Sequence, residues 1–160
     1  MNRILTIFAL FSFSLFSFSQ ENDEITNSIQ IYCGDEISSS TSGANSDQEY
    51  LSNVGLADCG TTVDASSGVW YSFVGIGEMI QLNLCGSTYD TKLHVFQDDG
   101  FNLTCVGGND DSDCENIYDS KLGFLSEQDS YYYIYVSGWG TQEGDFILSV
   151  NCGVVGCLDT

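Results

Sequence analysis

Val69-Trp70-Tyr71-Ser72-Phe73-Val74, then Gly75-Ile76-Gly77, then Ile80-Gln81-Leu82-Asn83-Leu84 are the residues whose reading decides the fold. The first run is β-branched and aromatic, with side chains that suit a pleated, half-buried surface. The last alternates apolar and polar with period two, so Ile80, Leu82 and Leu84 share one strand face and the other face is wet. The glycines between them supply a turn. Residues 92–96, 121–125, 131–136 and 146–150 repeat this style, separated by Asp98-Asp99-Gly100, Gly107-Gly108-Asn109-Asp110 and Gly138-Trp139-Gly140. Short strands at such intervals, with no helical stripe, predict an all-β chain built as a β-sandwich. Tyr131, Tyr133 and Tyr135 fall on one face of their strand, and Tyr132, Ile134 and Val136 on the other. At least one of those faces must be core.

Working outward, residues 20–68 are polar and rich in Ser, Asn, Asp and Gly, so little regular structure is expected there. Cys33 and Cys59 are expected to tie that segment to the sandwich. Residues 1–19 carry Arg3, then an apolar run interrupted by serines and ending in Ser17-Phe18-Ser19, the pattern of a cleaved signal peptide. The run is short for a membrane anchor and is followed at once by Glu21, Asp23 and Glu24. The chain thus divides into a signal peptide (1–19), a polar N-terminal segment (20–68), a sandwich core (69–151) and a tail (152–160). A secreted or cell-surface location follows, without membrane insertion.

Seven cysteines stand at 33, 59, 85, 105, 114, 152 and 157. Structural zinc sites want paired Cys or His at short spacing, whereas here no CxxC occurs and His94 is the single histidine. Disulfides in an oxidising compartment account for them better. The shortest plausible link, Cys105 with Cys114, would staple the acidic loop between them; the pairing of Cys33, Cys59, Cys85 and Cys152 stays open. Cys157, near the C-terminus, is the odd one out.

The formal net charge is −20, from 23 acidic residues against 3 basic ones. Such a surface repels phosphate backbones and anionic lipid, so binding to nucleic acid and to membranes is disfavoured. It attracts cations. The densest acidic stretch holds Asp110, Asp111, Asp113, Glu115 and Asp119. Calcium wants six to eight oxygens from carboxylates, amides and carbonyls, and this loop has them in surplus. The spacing is not that of an EF-hand, because Asn116 and Leu122 stand where the loop glycine and the bidentate glutamate belong. Two readings stay open: an irregular calcium site, or an Asp-rich turn whose carboxylates cap backbone N–H groups.

Several of these segments together carry a family resemblance. They are 69–73, Leu84-Cys85-Gly86-Ser87-Thr88-Tyr89-Asp90-Thr91-Lys92-Leu93-His94-Val95-Phe96, Asn109-Asp110-Asp111, 120–124, 132–138 and 144–150. In this order they resemble the bacterial pre-peptidase C-terminal domain, in the cysteine-containing version of Bacteroidetes-type secreted and cell-surface proteins. The resemblance covers about 69–151. It implies a jelly-roll-like antiparallel β-sandwich, disulfide-stabilised, acting as an accessory module beside exported enzymes or within adhesins. In that family some members bind collagen, polysaccharide or calcium. Val155-Gly156-Cys157-Leu158-Asp159-Thr160 resembles the opening of a Cys- and Asp-containing repeat, which implies a chain continuing past Thr160.

Catalysis has little to work with. A Ser-His-Asp arrangement must use His94, which the alternation with Lys92 places mid-strand as an exposed residue. No enzyme activity is expected. Binding has more: Trp139, set between two glycines, and Tyr133 are flat rings of the kind that stack on sugars or peptides, although a core role is open to both. The function expected is therefore a non-catalytic extracellular module for adhesion to polysaccharide or protein matrix, with calcium as the one candidate cofactor. The alternative is a ligand-free spacer or folding module of a larger exported protein.

Overall fold

Alternation becomes layers in the computed structural model, which describes residues 20–153; the leader and the tail residue Cys157 lie outside them. After a 3-10 turn at Ile25–Asn27 come β1 (Ile29–Gln30), β2 (Glu36–Ser40), α1 (Gln48–Asn53), β3 (Asp58–Cys59) and β4 (Thr61–Thr62). The main strands follow: β5 (Val69–Val74), β6 (Met79–Asn83), β7 (Thr91–Asp98), β8 (Leu103–Asn109), β9 (Lys121–Leu125), β10 (Tyr131–Gly138) and β11 (Asp145–Cys152). One sheet runs β1-β5-β10-β7-β8, a second runs β2-β11-β6-β9, and β3 pairs with β4 as a separate hairpin. All pairings are antiparallel except β1 beside β5. The molecule is an all-β, jelly-roll-like sandwich.

The core lies where the period-two faces meet. Tyr71 and Phe73 of β5, Ile80 and Leu82 of β6, Leu93 and Val95 of β7, Ile134 and Val136 of β10, and Phe146 and Leu148 of β11 form one buried cluster. Each such side chain contributes about 1.5–3 kcal/mol by leaving water. Ile134 sits at the centre, opposite Tyr71 on one neighbour and Val95 on the other.

The outer face of the five-stranded sheet departs from expectation. The polar segment contributes β1 and β2 to the two sheets, and its remainder folds over this outer face as a cover. Leu51, Leu56, Cys59 and Val63 pack there against Trp70, Phe96 and Tyr135, making a second apolar cluster. Trp70 and Tyr135 lie with ring centroids 4.6 Å apart. His94, expected to be exposed, is therefore buried beneath the β3–β4 hairpin, and its Nε2 is 3.2 Å from the Thr61 carbonyl. Lys92 is only 2 % exposed; its Nζ lies 2.8 Å from Asp64 and 3.4 Å from Asp110 and donates to the Thr62 carbonyl. A strand that alternates apolar and polar is thus buried on both faces, because the polar face is roofed and its charge is paired. Gly60 and Gly108 make the roof possible: a Cβ at either would collide with backbone of the other strand.

Three disulfides fasten these layers: Cys33–Cys152, Cys59–Cys105 and Cys85–Cys114. The expected Cys105–Cys114 link is not formed. Cys105 stands inside β8 beside the cover, and the strand runs on to Asn109, about 13 Å further, before the acidic loop begins. Cys105 therefore pins the hairpin through Cys59, while Cys114 ties the loop to the turn after β6. Among the described residues, no helix is long and apolar enough to cross a membrane. Three disulfides mark a protein that folds in an oxidising, exported setting.

Candidate binding cleft at the sandwich rim

At one end of the sandwich, four connections converge. The turn before β7 brings Thr88, Tyr89 and Asp90; the exit of β8 brings Asp110 and Asp111; the acidic loop brings Asn116 and Tyr118; and the β10–β11 turn brings Trp139 and Gln142. They line a cleft of about 640 Å³. Backbone hydrogen bonds lock the connections together. Trp139 N donates to the Asp90 carbonyl at 3.0 Å, Thr91 N to the Tyr118 carbonyl at 3.1 Å, and Gly140 N to Asp64 Oδ2 at 2.8 Å. Trp139 is 54 % exposed and Tyr118 52 %, so both rings open to solvent at the cleft.

Three carboxylates meet inside this cleft. Asp90, Asp110 and Asp111 each offer an oxygen within 4.8 Å of the others. Oδ1 of Asp90 and Oδ1 of Asp110 are buried and accept no hydrogen bond among the described residues. Burial raises the pKa of Asp90, and the neighbouring charges of Asp110 and Asp111 raise it further. Burial likewise raises that of Asp110, against the pull of Lys92. Asp64 goes the other way: although burial pushes it up, hydrogen bonds from Lys92 and Gly140 hold it below the usual carboxylate value. Lys92 therefore neutralises the floor of the cleft from below, and the three upper carboxylates crowd one another.

The expected site is regrouped by the fold. Asp110 and Asp111 come together with Asp90 rather than with the rest of their loop. Asp113 is exposed and pairs with Lys121 at 3.1 Å. Asp119 is buried and accepts from Gly86 N at 2.7 Å and Asn116 Nδ2 at 3.0 Å, so it pins the loop in place. Glu115 is exposed and outside the converging trio. The carboxyl chemistry suits a hard cation: three carboxylates each bring an oxygen within 4.8 Å of the others, Asp90 and Asp110 each carry a buried oxygen without a hydrogen bond among the described residues, and Asn116 lines the same cleft. The aromatic pair is also split. Trp139 lies at this rim, whereas Tyr133 lies some six residues back along β10, about 20 Å of strand, and lines a different groove. His94 is buried and held neutral, its pKa lowered by burial to about 4. Asp90 is the member of the trio that lies outside the acidic loop in sequence; it is a residue that the fold could bring near the loop, and the pairing of β7 with β8 sets it there.

Neither a protein-family model nor a curated protein matches the sequence. Among solved structures, the fold is similar to the pre-peptidase C-terminal domain of collagenase from Bacillus anthracis. That likeness has 14% identity and a TM-score of 0.49, covering 78% of this chain and 94% of that one. The chain resembles the pre-peptidase C-terminal domain. It is also similar to a periplasmic inhibitor of g-type lysozyme from Aeromonas hydrophila, at 12% identity and a TM-score of 0.48, with 78% and 95% covered. At such identities the likeness is one of fold.

Proposed function

We propose that this protein is an exported, non-catalytic accessory module that holds extracellular polysaccharide or protein matrix in the rim cleft, with calcium at Asp90, Asp110 and Asp111. The observation that carries this reading is the juxtaposition of half-exposed Trp139 with three converging carboxylates in one cleft. An aromatic ring offers a flat stacking surface, and the polar lining offers acceptors for hydroxyl and amide donors. Calcium would relieve the crowding of the trio, and further oxygens from Asn116, backbone, water or ligand would complete its shell. A non-catalytic role is supported by the one histidine being roofed over and neutral, away from the cleft.

Calorimetric titration of Ca²⁺ into the metal-stripped protein tests the cation. Heat of binding and a thermal shift reversed by EDTA are expected, both lost in Asp110→Asn. Absence of heat and of any shift rejects the calcium assignment. Co-sedimentation with insoluble polysaccharides and collagen then tests the polymer, with Trp139→Ala as the variant expected to stay in the supernatant.

A further inference from the structure

The far end of the same sheet carries a feature that the rim cleft leaves unused. Phe101 is 94 % exposed at the tip of the β7–β8 hairpin, where aspartate side chains tie down the backbone of the turn. Asp99 Oδ1 accepts from both Phe101 N, at 2.9 Å, and Asn102 N, at 2.8 Å, while Asp98 Oδ1 accepts from Gly100 N at 2.8 Å. Phe101 shares one groove with exposed Tyr50 and Val54, and a contiguous exposed apolar patch of this kind marks an interaction site. The groove holds about 300 Å³, and its other apolar walls are Ile25, Leu103 and Tyr133.

We propose that this groove docks a basic protein segment carrying an apolar side chain, with Phe101 as the anchor. Charge chooses the partner. Asp98 lines the groove, and Glu24, Glu49 and Asp99 directly precede its residues Ile25, Tyr50 and Gly100 in the chain. The described residues hold two bases, Lys92 and Lys121, and each is already paired with aspartate. A second copy of this chain would bring acid against acid, whereas a lysine- or arginine-bearing segment meets complementary charge at the rim and apolar contact at the centre.

The test uses the purified full chain and two synthetic peptides of alternating Lys and Leu or alternating Glu and Leu. The lysine peptide is expected to bind and to shift the amide resonances of Tyr50, Val54, Phe101 and Leu103. Phe101→Ser should weaken it by about tenfold or more, with the unfolding temperature unchanged because the ring packs on nothing. Trp139→Phe, at the opposite rim, should bind as the wild type does, so failure here is separable from failure of the cleft. Equal binding by Phe101→Ser, equal binding of the glutamate peptide, or no binding of the lysine peptide overturns the proposal. So does Phe101-dependent self-association in sedimentation velocity, which would make a second copy the occupant.

Discussion

Acidification should weaken this protein through one imidazole. His94 is buried under the β3–β4 hairpin, with Lys92 two residues away on the same face and Asp64 beyond it. Burial is the main cause that lowers its pKa from 6.5 to about 4; Lys92 lowers it further, while the Thr61 carbonyl and Asp64 work against the shift. The folded state therefore leaves His94 neutral where the unfolded chain protonates it. Stability is complete above pH 6.5 and is lost as pH falls through about 4. The gap corresponds to roughly 3 kcal/mol, about 10 °C in unfolding temperature for a domain of this size. Asp90 and Asp110, with raised pKa values, contribute in the opposite sense, gaining stability as pH falls. Comparison with His94→Gln removes them from the result, because both proteins share them, and glutamine can still donate to the Thr61 carbonyl. Urea unfolding of the two proteins between pH 7.5 and 4 gives the measurement. The wild type should lose about 3 kcal/mol more than the variant across that range. Parallel pH curves would refute the buried, neutral imidazole and the roof that explains it.

Other expectations follow from the same layers. Gly108→Ala places a methyl group against the Cys59 carbonyl and the His94 ring, so the hairpin must lift; a loss of about 3 kcal/mol in thermal or urea unfolding is expected. Lys92→Met removes the ammonium from Asp64, Asp110 and the Thr62 carbonyl, leaving Asp64 only the bond from Gly140 N. Full burial would make that loss about 3–5 kcal/mol, and the partial exposure of both carboxylates reduces it to about 2–3 kcal/mol. Among double-serine replacements, Cys33–Cys152 should cost most because its closed loop is longest, with a sequence separation of 119 against 29 for Cys85–Cys114. Loop-closure entropy gives about 5 kcal/mol for the first and about 3.5 kcal/mol for the second; equal losses would show that chain entropy does not govern them.

The sandwich was legible because its strands declare themselves locally: 80–84 alternates with period two, and 69–74 and 131–136 are short, β-branched and aromatic runs. The cover was not. Leu51, Leu56 and Val63 are isolated in a polar background, and nothing periodic links them. A signal did exist on the other side of the contact. Trp70, Phe96 and Tyr135 point away from the main core, and outward aromatics on three adjacent strands imply a second layer over them. The same layer buries Lys92 and His94, which alternation alone assigns to solvent. Disulfide pairing was hidden for a related reason. Nearness in sequence favoured Cys105 with Cys114, whereas an extended strand separates them and tertiary folding brings Cys59 and Cys85 to each. Of the acidic loop, Asp110 and Asp111 reach the cleft, and Asp90 joins them only because β7 and β8 are neighbours in the sheet.

Trp139 emission offers the most direct test of the rim cleft. The protein has two tryptophans, and Trp70 is sealed in the second apolar cluster, so a ligand-induced change in emission reports Trp139. Polysaccharides and collagen peptides are titrated with and without Ca²⁺ into the wild type and into Trp139→Phe. A saturable shift is expected with at least one polymer in the wild type, weakened by EDTA and absent from the variant. An unchanged spectrum across every polymer, or a shift that persists in Trp139→Phe, would contradict a binding role for the cleft.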